Sequence, residues 1–206
     1  MKILICLLFG YALGCFHPAY LVSRKKEVDL RTVGTKNLGA SNTLLVFGRK
    51  AGALVMLMDI GKAYLACRLA RLLFPKLAAA GLLAGLGAIL GHVYPRWLGY
   101  KGGKGLAAFA GTVLAYDRGL FLLLLVTGLG VMLLVNYSFA LPISTGILFP
   151  VLVGFGARDL FLTLIAIAIG AVILYTHWPN IARALRGDEA PIRQILREKV
   201  FCRSHN

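Results

Sequence analysis

Residues 78–116 read AAAGLLAGLGAILGHVYPRWLGYKGGKGLAAFAGTVLAY. Two apolar runs meet here across one polar heptapeptide, Gly99-Tyr-Lys-Gly-Gly-Lys-Gly105. The runs lack strand alternation and carry almost no charge, so they read as membrane helices joined by a short loop at one interface. Glycine lets backbone amides approach a ligand closely, and lysine brings mobile positive charge, a pairing suited to an anion. The same composition also suits a plain basic interfacial loop, so the rest of the chain has to separate the two.

That remainder is equally apolar. The 206 residues are 59% hydrophobic and 15% charged, with a mean hydropathy of +0.78, which excludes an ordinary soluble domain. A formal net charge of +15 raises nucleic acid as a partner, but no segment interleaves basic and aromatic residues as such a site requires. No nucleic-acid partner is expected; the cations serve membrane orientation and an anionic ligand. Cys6, Cys15, Cys67 and Cys202 are scattered, with no CxxC spacing and no paired histidines, so neither disulfides, a metal nor a cofactor is expected. Lys2 precedes an apolar run that has no small-x-small cleavage site, and this first segment is expected to remain as a helix.

A spanning helix needs about 20 mostly apolar residues, fewer where its end is buried in protein. Seven segments qualify, near 3–22, 51–73, 77–95, 104–116, 119–135, 138–155 and 158–177, the fourth starting inside the glycine-rich loop. The expected fold is therefore all-α, one polytopic integral-membrane domain over residues 1–206, compatible with a monomer. Sixteen Lys and Arg fall on the side holding loops 23–50, 96–104 and the tail after 177, against five on the other. This places the N-terminus outside and the C-terminus in the cytoplasm. Gly81, Gly85 and Gly87, with neighbouring alanines, offer a smooth surface for close helix packing. The tail from Asn180 carries apolar residues at helical spacing with basic ones between, either to lie on the anionic inner leaflet or to form a solvated terminal helix.

The longest polar connection, Val33-Gly-Thr-Lys-Asn-Leu-Gly-Ala-Ser-Asn-Thr43, is dense in glycine and short polar side chains. Ser41 or Asn42 is placed to cap a following helix, and backbone amides at such a helix start bind phosphate without a dedicated cation. An ordinary capped turn explains the same composition. Asp59 and Lys62, three apart inside the second span, are expected to pair with each other or with the cytoplasmic loops; Arg68 and Arg71 are expected to snorkel outward. His17-Pro18 reads as a kink. His92 ends the third span beside the lysine loop, and His177 with Asn180 ends the seventh, so both histidines fall at one membrane face. No histidine has an aspartate five positions on, and no Gly-x-Ser-x-Gly elbow occurs, so neither familiar acyl-transfer machinery is present.

Taken together the segments resemble the bacterial acylphosphate:glycerol-3-phosphate acyltransferase family of membrane-integral enzymes. One family signature, near G-S-G-N-x-G-A-T-N with a following G-K-K-A-G, is similar to Gly34-Thr-Lys-Asn-Leu-Gly-Ala-Ser-Asn42 and Gly48-Arg-Lys-Ala-Gly52, and Asp29-Leu-Arg31 matches its upstream D-x-R. A second, G-H-x-F-P with K-G-G-K-G, is similar to Gly91–Pro95 and Lys101–Gly105; a third, beginning H-x-x-N-I, resembles His177 to Glu189. Leu45 stands where many members carry arginine, and a serine-rich signature is reduced to Ser138 and Ser144.

The resemblance implies acyl transfer from an acyl phosphate to glycerol 3-phosphate at the cytoplasmic surface of a bacterial inner membrane, with lipids as further partners. It implies that Gly34, Thr35, Lys36, Asn37, Gly39, Ala40, Ser41 and Asn42 hold the acyl phosphate. Lys104 then bridges toward the carbonyl or the leaving phosphate, and Arg49, His177 and Asn180 hold glycerol 3-phosphate, with His92, Gly102, Gly103 and Ser138 also binding substrate. Nothing resembles an adenosine site, so coenzyme A donors are expected to be excluded. Two other classes compete: a transporter of a phosphorylated metabolite, against which stands the lack of an internal repeat, and a scaffold, which leaves both glycine loops unexplained.

Overall fold

The computed structural model describes residues 1–194; the last part of the expected amphipathic tail, and Cys202, lie outside them. The described chain is helical: α1 (Lys2–Gly14), α2 (Pro18–Lys25), α3 (Ala40–Phe47), α4 (Arg49–Leu73), α5 (Ala80–Val93), α6 (Leu106–Tyr116), α7 (Arg118–Val135), α8 (Ala140–Ala157) and α9 (Leu160–Leu185), with a 3-10 turn at Arg96–Leu98.

Four stretches are long and apolar enough by themselves to cross a bilayer: the α1–α2 stretch, α7, α8 and α9. The other three expected spans differ for identifiable reasons. α4 has the length but carries Asp59, Lys62, Arg68 and Arg71, while α5 and α6, at 14 and 11 residues, are shorter than a hydrocarbon core of about 30 Å. α5 is nevertheless the centre of the bundle, its side chains almost wholly buried against α1, α4, α6 and α9. The lipid-facing surface falls instead to α7 and its neighbours, whose large apolar side chains are exposed, Leu134 at 85% and Phe155 at 78%.

Small residues set how closely the central helices approach. A Cβ at Gly10 or Gly14 of α1 would fall 2.0 Å and 2.2 Å from the carbonyl oxygens of Ala84 and Ala88. Reciprocally, one at Gly87 or Gly91 of α5 would fall 2.2 Å from those of Leu7 and Tyr11. The two helices interlock through paired glycines four residues apart. Gly85 faces Thr112 of α6, and Gly81 faces Arg71 of α4, as the smooth surface of this segment predicts.

Several boundaries differ from the sequence reading. The first span breaks at Cys15–His17, with Pro18 opening α2 in the position where its missing N–H costs nothing. Gly39, not Ser41 or Asn42, is the N-cap of α3, because both side chains already lie inside the first turn. α9 runs through Pro179 to Leu185, so His177 lies within the helix and not at its end. Arg71 is exposed yet donates to the Ala115 carbonyl at 3.2 Å, so it both snorkels and ties α4 to α6.

Hydrogen bonds between remote segments show which loops share an end. The Tyr11 hydroxyl donates to Tyr94 O, the Trp97 indole to Cys15 O, Leu38 N–H to Gly102 O, Thr176 Oγ to Lys104 O, and Ile192 N–H to Asn136 O. Every polar segment singled out in the sequence therefore gathers at one end of the bundle. Among the described residues the opposite end carries the start of α1 and the short turns at 74–79, 117 and 158–159.

Candidate active site at the polar end of the bundle

Loop 28–42 is built around one side chain. Asn42, fully buried, donates through Nδ2 to the carbonyls of Leu30 (2.8 Å), Val33 (3.1 Å) and Asn37 (3.0 Å), and its Oδ1 accepts from Thr35 N–H at 2.8 Å. The three carbonyls share the two amide protons, so the whole donor capacity of the side chain is used on its own loop. Gly34 (φ +59°) lies so close to this amide that a Cβ there would fall 2.2 Å from Asn42 Oδ1. Below the loop Leu30 and Leu38 are fully buried in a small core with Ala19, Val55 and Leu98. At its base Arg31 grips Asp29 in a bidentate pair at 2.9–3.1 Å, and that guanidinium holds the Asp29 carboxyl below its ordinary value. Thus Asn42 shapes the loop, while Gly34, Thr35, Lys36 and Ser41 face outward and Asn37, Gly39 and Ala40 are half-buried. The first-turn amides of α3, at Ala40, Ser41 and Asn42, have no intrahelical acceptor, which makes the loop a concentration of N–H groups at a helix start.

The lysine loop folds back along the C-terminal end of α5. Gly102 and Gly103 donate to the carbonyls of Val93 (3.2 Å) and His92 (3.1 Å), and Leu38 N–H of the first loop donates to Gly102 O at 3.3 Å. Both glycines are required sterically. A Cβ on Gly102 would meet His92 O at 2.0 Å, and one on Gly103 would meet His92 Nε2 at 2.2 Å and Leu38 O at 2.8 Å. Gly105 (φ +88°) then caps α6, so a second helix begins at the same place.

Lys104 lies in this loop, before α6. Its Nζ donates to Asn180 Oδ1 at 2.5 Å; Asn180 Nδ2 donates to Glu189 Oε1 at 2.9 Å, and the other carboxylate oxygen of Glu189 accepts from Arg183 at 2.8 Å. Burial lowers the Lys104 pKa from its ordinary value and Arg183 adds to this, against an opposing contribution from Glu189. His177, one turn before Asn180, places Nδ1 2.9 Å from Ile173 O. A carbonyl only accepts, so Nδ1 carries a proton there and Nε2 is the ring nitrogen left for other partners. The segment after α9 crosses back to the α7–α8 turn, where Ile192 and Arg193 N–H groups bind Asn136.

His92 is 2% exposed, and its ring faces Asp59 and Lys62 at the rear of the lysine loop. Arg49, the first residue of α4, and Ser138, in the α7–α8 turn, are exposed; among the described residues, the hydrogen bonds joining the three segments involve neither. Asp59 and Lys62 pair as the sequence leads one to expect, but sequence reasoning gave that pair no part in the site and gave no role to Arg183, Thr176 or Glu189. The conspicuous clue was charge inside helix, since Asp59, Lys62 and Arg183 are each costly there without a polar partner. Among the described residues no group of His, Cys, Asp and Glu is arranged to hold a metal ion.

Fold and site together define a class, a helical integral-membrane protein that gathers glycine loops, helix N-termini and cations at one end. The family model for glycerol-3-phosphate acyltransferase matches residues 4–187. Relatives of that name from Aquifex aeolicus and Lactiplantibacillus plantarum are each 36% identical, covering 92% of this chain and 98% and 92% of their own. The crystal structure of PlsY (YgiH), described as an integral membrane glycerol 3-phosphate acyltransferase in its glycerol 3-phosphate form, is similar at TM-score 0.85 and 33% identity. That match covers 93% of this chain and 96% of the other; the lysophosphatidic acid form gives 0.83. The chain belongs to the glycerol-3-phosphate acyltransferase family.

Proposed function

We propose that this protein, acting as one acyltransferase domain over its whole length, transfers a fatty acyl group from an acyl phosphate to glycerol 3-phosphate, releasing lysophosphatidic acid and inorganic phosphate. The observation that carries the reading is the junction of three remote segments: Leu38 bound to Gly102, and Lys104 bound to Asn180. A donor with an apolar chain and an acceptor with none both bear phosphate, and the place suited to both is a polar end that opens beside lipid.

In this reading the amides of residues 34–42 and the start of α3 hold the acyl phosphate, with His92, Gly102 and Gly103 behind them. Lys104 faces the carbonyl or the departing phosphate, where negative charge develops. Arg49, His177 and Asn180 hold glycerol 3-phosphate, and Ser138 stands at the rim. An acyl phosphate is already activated, so orientation and electrostatics carry most of the catalysis, and the attacking hydroxyl gives its proton to a substrate phosphate oxygen. The open Nε2 of His177 favours a second reading in which that nitrogen takes the proton.

The seven segments, including the short α5 and α6, cross the membrane alternately with the N-terminus outside and the polar end in the cytoplasm, supported by the sixteen-to-five charge asymmetry. The membrane is the bacterial inner membrane, and the fold is compatible with a monomer.

The test uses purified protein, a synthetic acyl phosphate and glycerol 3-phosphate, with phosphate and lysophosphatidic acid measured together. Equal release of both is expected; binding without either product would favour a transporter. A His177→Ala enzyme that keeps a bell-shaped pH profile and good turnover supports the substrate as base, and loss of one limb of the profile supports histidine.

A further inference from the structure

Behind the lysine loop lies a buried polar cluster. Lys62 Nζ has three acceptors around it: Asp59 Oδ1 at 2.8 Å, Phe16 O at 2.6 Å and His92 Nδ1 at 3.0 Å. Asp59 Oδ1 meets the ammonium as an ion pair and also lies 3.3 Å from His92 Nδ1, but the ammonium is nearer that nitrogen and, having no lone pair, can only donate to it. His92 Nδ1 is then an acceptor, and the proton of the neutral ring sits on Nε2. That nitrogen points at the seam between the two loops, because a Cβ on Gly103 would touch both it and Leu38 O. On its other face the His92 ring stacks on His17, centroids 5.0 Å apart.

The cluster is connected to the reacting end through short steps. Lys62 fixes the His92 ring; the His92 and Val93 carbonyls hold Gly103 and Gly102; Gly102 holds Leu38; and Lys104 follows Gly103 directly. Phe16 O lies at the break between α1 and α2, so one ammonium also ties that break to the middle of α4 and the end of α5. A buried ion pair brings little net stability over an apolar pair of the same volume, since both charges lose their hydration. Its worth here lies in where it puts a donor.

We propose that Asp59 and Lys62 are positioning residues for acyl transfer: Lys62, held by Asp59, keeps His92 as the Nε2–H tautomer against Gly103 and so sets residues 101–105 against loop 34–42 and places Lys104. The inference rests on the assignment of Lys104 to the reacting centre. Full turnover by Lys104→Ala enzyme would sink that assignment and leave the tautomer untouched.

Two measurements on the detergent-purified full chain decide it. Ring-15N histidine NMR, with the His92 signal identified by its loss in His92→Asn, is expected to show Nε2–H in the wild type and a shift toward Nδ1–H in Lys62→Met. A wild-type ring protonated on Nδ1 overturns the proposal, whatever the variants do. The charge swap Asp59→Lys with Lys62→Asp keeps an ion pair on the same turn but moves the ammonium away from Phe16 O and His92. It is expected to keep its unfolding temperature within a few degrees while kcat falls on the order of 100-fold, the cost of a misplacement of about 1 Å. Recovered turnover in the swap would mean that the pair serves stability alone. If the swap does not fold, the wild-type tautomer still decides.

Discussion

In the proposed reaction Lys104 is the residue on which the chemistry depends most directly. Its ammonium meets Asn180 and stands beside Arg183 and Glu189, in a loop that burial has already made less favourable for charge. Replacing it with alanine removes a donor aimed at developing charge, and kcat is expected to fall by roughly 10² to 10³, read from phosphate release. The lowered pKa fixes a pH dependence as well. Between the folded value and the ordinary 10.5 the unfolded chain binds more protons, so stability rises with pH across that window in substrate-free protein. Thermal unfolding of wild type and Lys104→Met across that window checks it, the variant losing the slope. Activity moves the other way, declining as Lys104 loses its proton at a pH below that of an ordinary lysine.

Gly103 belongs to the same scale. An added methyl meets His92 Nε2 and the backbone oxygen of Leu38, and the second of these has no freedom to yield. Gly103→Ala is expected to separate the two loops, raising KM for the phosphate substrates, with little effect on the midpoint of unfolding. Kinetic constants beside a melting curve test both halves.

At the scale of elements, two devices hold the site. One is the stretch 28–39, which has no regular structure and borrows its shape from the amide of Asn42 at the start of α3. Asn42→Ala leaves the buried Leu30 carbonyl and the part-buried carbonyls of Val33 and Asn37 without their donor, at about 1–3 kcal/mol for the buried one and less for the others. Asn42→Asp keeps the acceptor for Thr35 but loses both amide protons that the three carbonyls share, so it is expected to fail nearly as badly, in both unfolding temperature and turnover. The other device is the glycine interlock of α1 with α5. Gly14→Val places branched carbons into the Ala88 backbone, an overpacking worth about 3 kcal/mol or more. Since the end of α5 supports the lysine loop, activity is expected to fall with stability in this variant, and a thermal scan beside an assay tests whether they fall together.

For the whole molecule, the shared polar end and the charge asymmetry make one strong demand on orientation. Cysteines introduced at Lys36 and Ser138, in a background lacking the native thiols, are expected to react with an impermeant maleimide only from the cytoplasmic side. One at Lys76, in the turn between α4 and α5, is expected to react only from outside. Labelling of Lys36→Cys and Lys76→Cys from the same side would reject the alternating path.

Much of this molecule is determined locally. Apolar runs choose lipid over water whatever their neighbours do, so the helical membrane class was legible from residue order, as were the glycine loops, whose backbone freedom is intrinsic to the residue. The family signatures were legible for the same reason, being contiguous. Tertiary structure decided what depends on a partner far along the chain. Nothing in the spacing of Asn42 says that its amide spends every hydrogen bond inside its own loop, nor that Lys62 reaches Phe16 and His92, 46 and 30 residues away. The burial of the short α5 at the centre of the bundle, with protein instead of lipid around it, was likewise decided by packing. A buried polar group must find its partner wherever the packing brings one, and that choice is made by the assembled bundle.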